Sequence, residues 1–155
     1  MKTLTSELTD VLNDLVRINN DRIAGYEKAA EEVNEYDMKA LFNNMASDSR
    51  KYVNELSNRV NELGGEAVEG TTASGKIYRA WMDVKAAFTG RDKLSVLEAC
   101  EYGEDAAQKA YADALASDAD MDAETRQLIS EQKSALKTGH DLVKKYRDAE
   151  KSLKN

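Results

Sequence analysis

Apolar residues recur every three or four positions along most of this chain, which is the spacing of long amphipathic helices. The first helix is expected over about 5–33, with Leu8, Leu12, Leu15, Tyr26, Ala30 and Val33 on one face and Asn19 and Arg22 interrupting its middle. Asp21 projects to the opposite side and reads as a solvated acid. After a break at Asn34, Glu35 and Tyr36, Asp37 is of a type suited to N-capping a second helix over 37–63. Met38, Leu41, Phe42, Met45, Tyr52, Leu56, Val60 and Leu63 make its apolar face, Ser49 interrupts it, and Gly64-Gly65 ends it. A third helix is expected over 92–116. A fourth follows over 123–153, with Asp120 or Asp122 as its N-cap. The apolar positions of the fourth are Leu128, Ala135, Leu142, Val143, Tyr146, Ala149 and Leu153, interrupted by Gln132 and Gly139.

The connections set the topology. A three-residue break makes the first two helices antiparallel neighbours. Residues 64–91 are different: a small, polar stretch leads into Ile77, Trp81, Val84 and Phe88 at helical spacing, a short amphipathic helix. A crossover must travel the bundle's length, about 40 Å for a helix of this size, so the third helix is expected to run parallel to the second. The aromatic residues Tyr78, Trp81 and Phe88 either cover the bundle or mediate dimerisation. Covering is the expectation, because amphipathic helices usually bury their apolar side on their own domain. The fold class is all-α, a four-helix bundle with a long crossover in one domain over 1–155.

The third helix holds the chemical question. Leu97, Cys100, Ala107, Tyr111 and Ala114 share a face, and Glu104 falls within roughly 40° of its centre. A carboxylate there is paired, protonated, bound to a cation, or less buried than its position implies. Every core face also carries a tyrosine (Tyr26, Tyr52, Tyr111, Tyr146) and a polar interruption. A buried polar layer of Asn19, Arg22, Ser49, Tyr52, Glu104 and Gln132 would satisfy them together. Arg22, one turn after Asn19, could reach Glu104 across the bundle. Gly25, Gly103 and Gly139 each cost about 1 kcal/mol inside a helix, which close helix approach near the middle would explain.

Composition narrows the function classes. The net charge of −7 leaves no basic stripe for phosphates, so no nucleic-acid partner is expected. No apolar run approaches the ~20 residues that span a bilayer, and charges interrupt any leader-like stretch in MKTLTSELTD. The protein is therefore expected in the cytoplasm. The single cysteine, Cys100, excludes an internal disulfide and a cysteine-based zinc site.

The helix pattern and DSRKYVNELSNRVNELGG resemble the ferritin-like four-helix bundles. LNDLVRINNDRIAGYEKAAEEV, YRAWMDVKAAFTGRD and VLEACEYGEDAAQKAYADAL are more closely similar to a small bacterial ferritin-like family known only as a domain of unknown function. With the second and fourth helices, the resemblance covers nearly the whole chain. It implies a metal centre built from one Glu on each of two helices and Glu-x-x-His on the other two. This chain departs from that pattern. Asn19 stands at the first helix's Glu position, and Ser49 and Tyr52 stand at the Glu and His positions of the second. Glu104 fits, with Glu101 one turn earlier. The only histidine, His140, follows Lys137 by three and projects about 120° from the fourth helix's assigned face.

The expected function is therefore non-enzymatic: a helical-bundle protein with a degenerate centre and a possible stress-associated role, acting through its surface, through a homodimer or through a protein partner. Ser49 has no histidine base on its own face, so nucleophilic catalysis has no warrant. No cofactor is expected. The alternative is a protein binding iron or another divalent metal at a remodelled site using Glu101, Glu104 and waters. A third reading, a ligand-binding bundle, needs a cavity left by the facing alanines and glycines.

Overall fold

The computed structural model describes residues 4–70, 81 and 93–154. Its helices are α1 (Leu4–Glu32), α2 (Tyr36–Glu62), α3 (Lys93–Leu115) and α4 (Ala123–Lys154). α1 packs most extensively on α2, and α3 on α4, giving two hairpins. The start of α2 shares one apolar cluster with the start of α3 and the ends of α1 and α4, through Met38, Phe42, Leu97, Cys100, Tyr26 and Val143. The opposite ends meet in a second cluster around Leu8, Leu12, Leu56, Val60, Tyr111, Ile129 and Leu136. That sharing requires α3 to run parallel to α2, as the long connection predicts.

The helix ends follow local chemistry. Gly64 adopts φ +85°, and the Gly65 N–H returns to the Val60 carbonyl at 3.0 Å, which closes α2 in a left-handed cap. At the start of α2 the N-cap is Glu35 rather than Asp37, and its side chain makes no capping bond. The Glu35 carboxylate is drawn to Lys93 Nζ at 2.8 Å instead. Asp122, one of the two candidates, caps α4: its Oδ1 accepts from the Thr125 hydroxyl at 2.6 Å, and its carbonyl accepts from the Arg126 N–H.

Two assignments from periodicity are corrected. α4 buries Thr125, Ile129, Gln132, Leu136 and Val143, whereas Ala135 and Ala149 are exposed, Leu142 is 38% exposed and Leu153 81%. Its inward face is therefore turned by about 80° from the one the apolar residues mark. The cause is that α4 meets its neighbours at mid-length through polar Gln132, while Leu142 and Leu153 lie on its outer side. Asp21 is buried rather than solvated. The segment after α2 runs along α1: Asn13 bonds the Glu66 carbonyl and the Val68 N–H, and Asn20 bonds the Gly70 carbonyl.

Trp81 is helical, 1% exposed and packed edge-on against Tyr26 at 5.4 Å, so this crossover residue covers the bundle. The remainder of the expected crossover helix, with Ile77, Tyr78, Val84 and Phe88, lies outside the described residues. Gly103 makes room for the indole, since a Cβ there would lie 3.0 Å from three of its ring carbons. Gly139 likewise faces Met45 Cε at 3.0 Å and Arg22 Nη2 at 3.1 Å. These two glycines admit side chains, rather than drawing helix backbones together as the sequence suggests. No described helix is long and apolar enough to cross a membrane.

Candidate functional site

Between the two apolar clusters lies a polar layer contributed by all four helices. Arg22, 1% exposed, places Nε 2.6 Å from Glu104 Oε1, and Glu104 is wholly buried. Tyr26 donates its hydroxyl to the same oxygen at 2.8 Å. The rest of the guanidinium turns to α2: Nη1 donates to Ser49 Oγ at 2.8 Å and to the Met45 carbonyl at 3.1 Å, and Nη2 lies 3.3 Å from Met45 Sδ. Arg22 also stacks over the Tyr26 ring, 5.1 Å from its centroid.

From Ser49 the bonds continue in one direction. Ser49 donates to Asn19 Oδ1 at 2.9 Å, and Asn19 Nδ2 donates to Tyr111 Oη at 2.7 Å and to the Leu15 carbonyl at 2.9 Å. Tyr111 donates to Gln132 Oε1 at 2.7 Å. Gln132 Nε2 then reaches Glu55 Oε1 at 3.1 Å and the Tyr52 carbonyl at 3.4 Å. Tyr52 thus meets the layer through its backbone carbonyl, while its ring packs in the second apolar cluster. Each amide and hydroxyl passes its hydrogen to the next, which satisfies groups that would otherwise be costly to bury.

The electrostatics follow from burial. Desolvation is the largest single influence and opposes the charge on Arg22, but the charge and hydrogen bond of Glu104 together with the neighbouring tyrosines outweigh it, and the guanidinium is held more firmly protonated than usual. Burial, and then the Glu104 charge, push the Tyr26 hydroxyl and the Cys100 thiol well up. Burial raises Tyr111 too, against the Asn19 hydrogen bond. These groups are therefore neutral donors or inert thiol, not nucleophiles. Glu104 Oε2 is buried with no hydrogen-bond partner.

Of the carboxylates considered for metal, Glu101 and Glu104 do not converge on one site. Glu104 points at Arg22, while Glu101 lies toward α4, with Oε2 2.9 Å from Arg147 Nη1 but out of hydrogen-bond alignment. His140 is not remote from its neighbours. With α4 turned as observed, it lies about 50° from the inward face, and Nε2 meets Asp105 Oδ1 of α3 at 2.6 Å. Glu101, Asp105 and His140 each offer a ligand atom within 4.8 Å of the others. The sequence held a usable sign of this group, the i, i+4 pair Glu101 and Asp105 on one flank of α3. The misplaced face of α4 hid its partner. A groove of about 340 Å³ between α1 and α3, lined by Val11, Leu15, Ile18, Ala110 and Ala114, lies apart from both sites.

Similarity to known proteins agrees with the architecture. A mutant of Mycobacterium smegmatis Dps1 superposes with a TM-score of 0.76 at 14% identity, over 95% of this chain and 99% of that one. At that identity the likeness establishes the fold, a ferritin-like four-helix bundle. No curated protein sequence matches the chain significantly. The profile for Domain of unknown function (DUF2383) matches residues 7–117, a span that includes Asn19, Arg22, Ser49, Trp81 and Glu104, and the chain belongs to that family.

Proposed function

We propose that this chain is a non-enzymatic helical-bundle protein, bacterial and cytoplasmic in setting, whose ferritin-like centre is degenerate. The observation that carries this reading is the Arg22 guanidinium, seated on Glu104 and bonded to Ser49 and the Met45 carbonyl. A fixed organic cation occupies the middle of the bundle, where a metal centre needs several anionic oxygens. Asn19 and Ser49 give that middle neutral ligands of low metal affinity. Ser49 is committed to Arg22 and Asn19 and is wholly buried, which leaves it no substrate to attack. The protein then acts through its surface, with a second copy or a protein partner. Its net charge of −7 disfavours nucleic acid. A stress-associated role is part of this proposal.

The alternative, an iron-binding or other divalent-metal protein with a remodelled centre, has one observation in its favour: Glu104 Oε2 is without a partner inside the bundle. Anaerobic Fe²⁺ titration followed by oxygen exposure separates the two. The expected result is iron uptake, at whatever stoichiometry, that is unchanged in Glu104→Gln, and oxidation no faster than in buffer. Stoichiometric binding lost in Glu104→Gln, with the helical content of the variant intact, would establish the alternative.

A further inference from the structure

The seam between α3 and α4 carries a donor set that the central layer does not use. Glu101 and Asp105 lie one turn apart on α3, and His140 faces them from α4. The His140 Nδ1 side is turned to Asp141 Oδ1 at 3.1 Å, and Asp141 is itself held by Lys137 Nζ at 2.9 Å. A carboxylate on one ring nitrogen keeps the hydrogen there and orients the ring so that the other can act as the ligand, the arrangement found behind metal-bound histidines. Here that other nitrogen is Nε2, which faces the Asp105 carboxylate at 2.6 Å and so carries a hydrogen until an ion displaces it to solvent.

We propose that Glu101, Asp105 and His140 form a binding site for a divalent first-row transition-metal ion on the α3–α4 seam. One imidazole nitrogen and two carboxylate oxygens suit Zn²⁺, Co²⁺, Ni²⁺ or Fe²⁺ better than Ca²⁺ or Mg²⁺, which prefer all-oxygen shells. Metal–ligand bonds of about 2.0–2.2 Å place tetrahedral donor atoms roughly 3.5 Å apart, so His140 Nε2 and Asp105 Oδ1, now 2.6 Å apart, would separate to admit the ion, while Glu101 is already within 4.8 Å of both. The hydrogen on Nε2 leaves as the ion enters. Arg147, which now neutralises Glu101, also contacts Asp148 Oδ1 at 2.7 Å, so it can release Glu101 without losing its own counter-charge. The site is separate from the Arg22–Glu104 pair and does not depend on the reading of the centre.

Because His140 is the only histidine in the chain, any imidazole ligation must come from it. The test is a Co²⁺ titration of the whole chain, followed by visible absorption and by ¹H NMR of the imidazole protons. One equivalent should bind and broaden the His140 resonances at substoichiometric Co²⁺. His140→Gln should abolish that equivalent, and Asp105→Asn should weaken it by at least about tenfold. Arg147→Gln removes a competing surface cation and should tighten binding about two- to fivefold. Glu104→Gln should leave binding unchanged. Sharp imidazole resonances at one equivalent of Co²⁺, or the same affinity in His140→Gln, would overturn the assignment.

Discussion

Replacing Arg22 by methionine removes the only cation that touches Glu104 among the described residues. The side chain is 1% exposed and Glu104 is 0% exposed, so solvent cannot compensate either group. Glu104 would keep one bond, from Tyr26, on an oxygen whose twin already has no partner. Ser49 and the Met45 carbonyl would lose their donors too. Breaking a buried pair by deleting one member costs about 3–5 kcal/mol. In a chain of this length that lowers Tm by about 6–20 °C. Urea unfolding followed by far-UV circular dichroism measures the loss directly, with the m-value reporting whether the unfolded state changed. Adding Glu104→Gln to Arg22→Met removes the stranded charge while keeping an acceptor for Tyr26. The double variant should therefore lose less than the sum of the two single variants, by at least about 1.5 kcal/mol. A loss under about 1 kcal/mol in Arg22→Met, or additivity within about 0.5 kcal/mol, would refute the pairing as a source of stability.

Gly103→Ala should destabilise by about 1–2 kcal/mol despite its gain in helix propensity, because the new methyl meets the rigid, buried Trp81 ring. Gly139→Ala should cost a similar amount, since the end of Met45 can give way but Arg22 Nη2, 3.1 Å from the new methyl, is held by its buried bonds; thermal melts measure both, and a raised Tm in either would contradict the packing. Cys100, fully buried with its thiol pushed up by burial and by Glu104, should resist an aromatic disulfide reagent in the native protein and react at once in denaturant; rapid native labelling would mean that the bundle opens locally. The Asp122 carboxyl is held below its usual range by the Thr125 hydrogen bond and by Arg59. Its contribution is therefore present above the unfolded value and lost as pH falls through the folded one. Asp122→Ala should cost about 1 kcal/mol near neutral pH, and that difference should shrink in acid; a penalty as large at about pH 3 would argue against ionised capping.

Four helices, their order, the antiparallel first hairpin and the parallel second and third helices all follow from the spacing of apolar residues and the lengths of the connections. Those properties are local, or set by chain reach, so one strand of sequence suffices. The polar interruptions at Asn19, Arg22, Ser49, Glu104 and Gln132 were legible for the same reason: each breaks an otherwise apolar face. The rotation of α4 was not, because the apolar stripe of a helix marks its inward side only where packing consumes it. Leu142 and Leu153 carry apolar surface that this bundle leaves outside, and Gln132 is inward because Tyr111 needs an acceptor. The role of Gly103 in seating Trp81 and the meeting of His140 with Asp105 each depend on a segment far away in the chain. Only the assembled bundle decides such contacts, since burial is a property of what lies opposite and not of the residue itself.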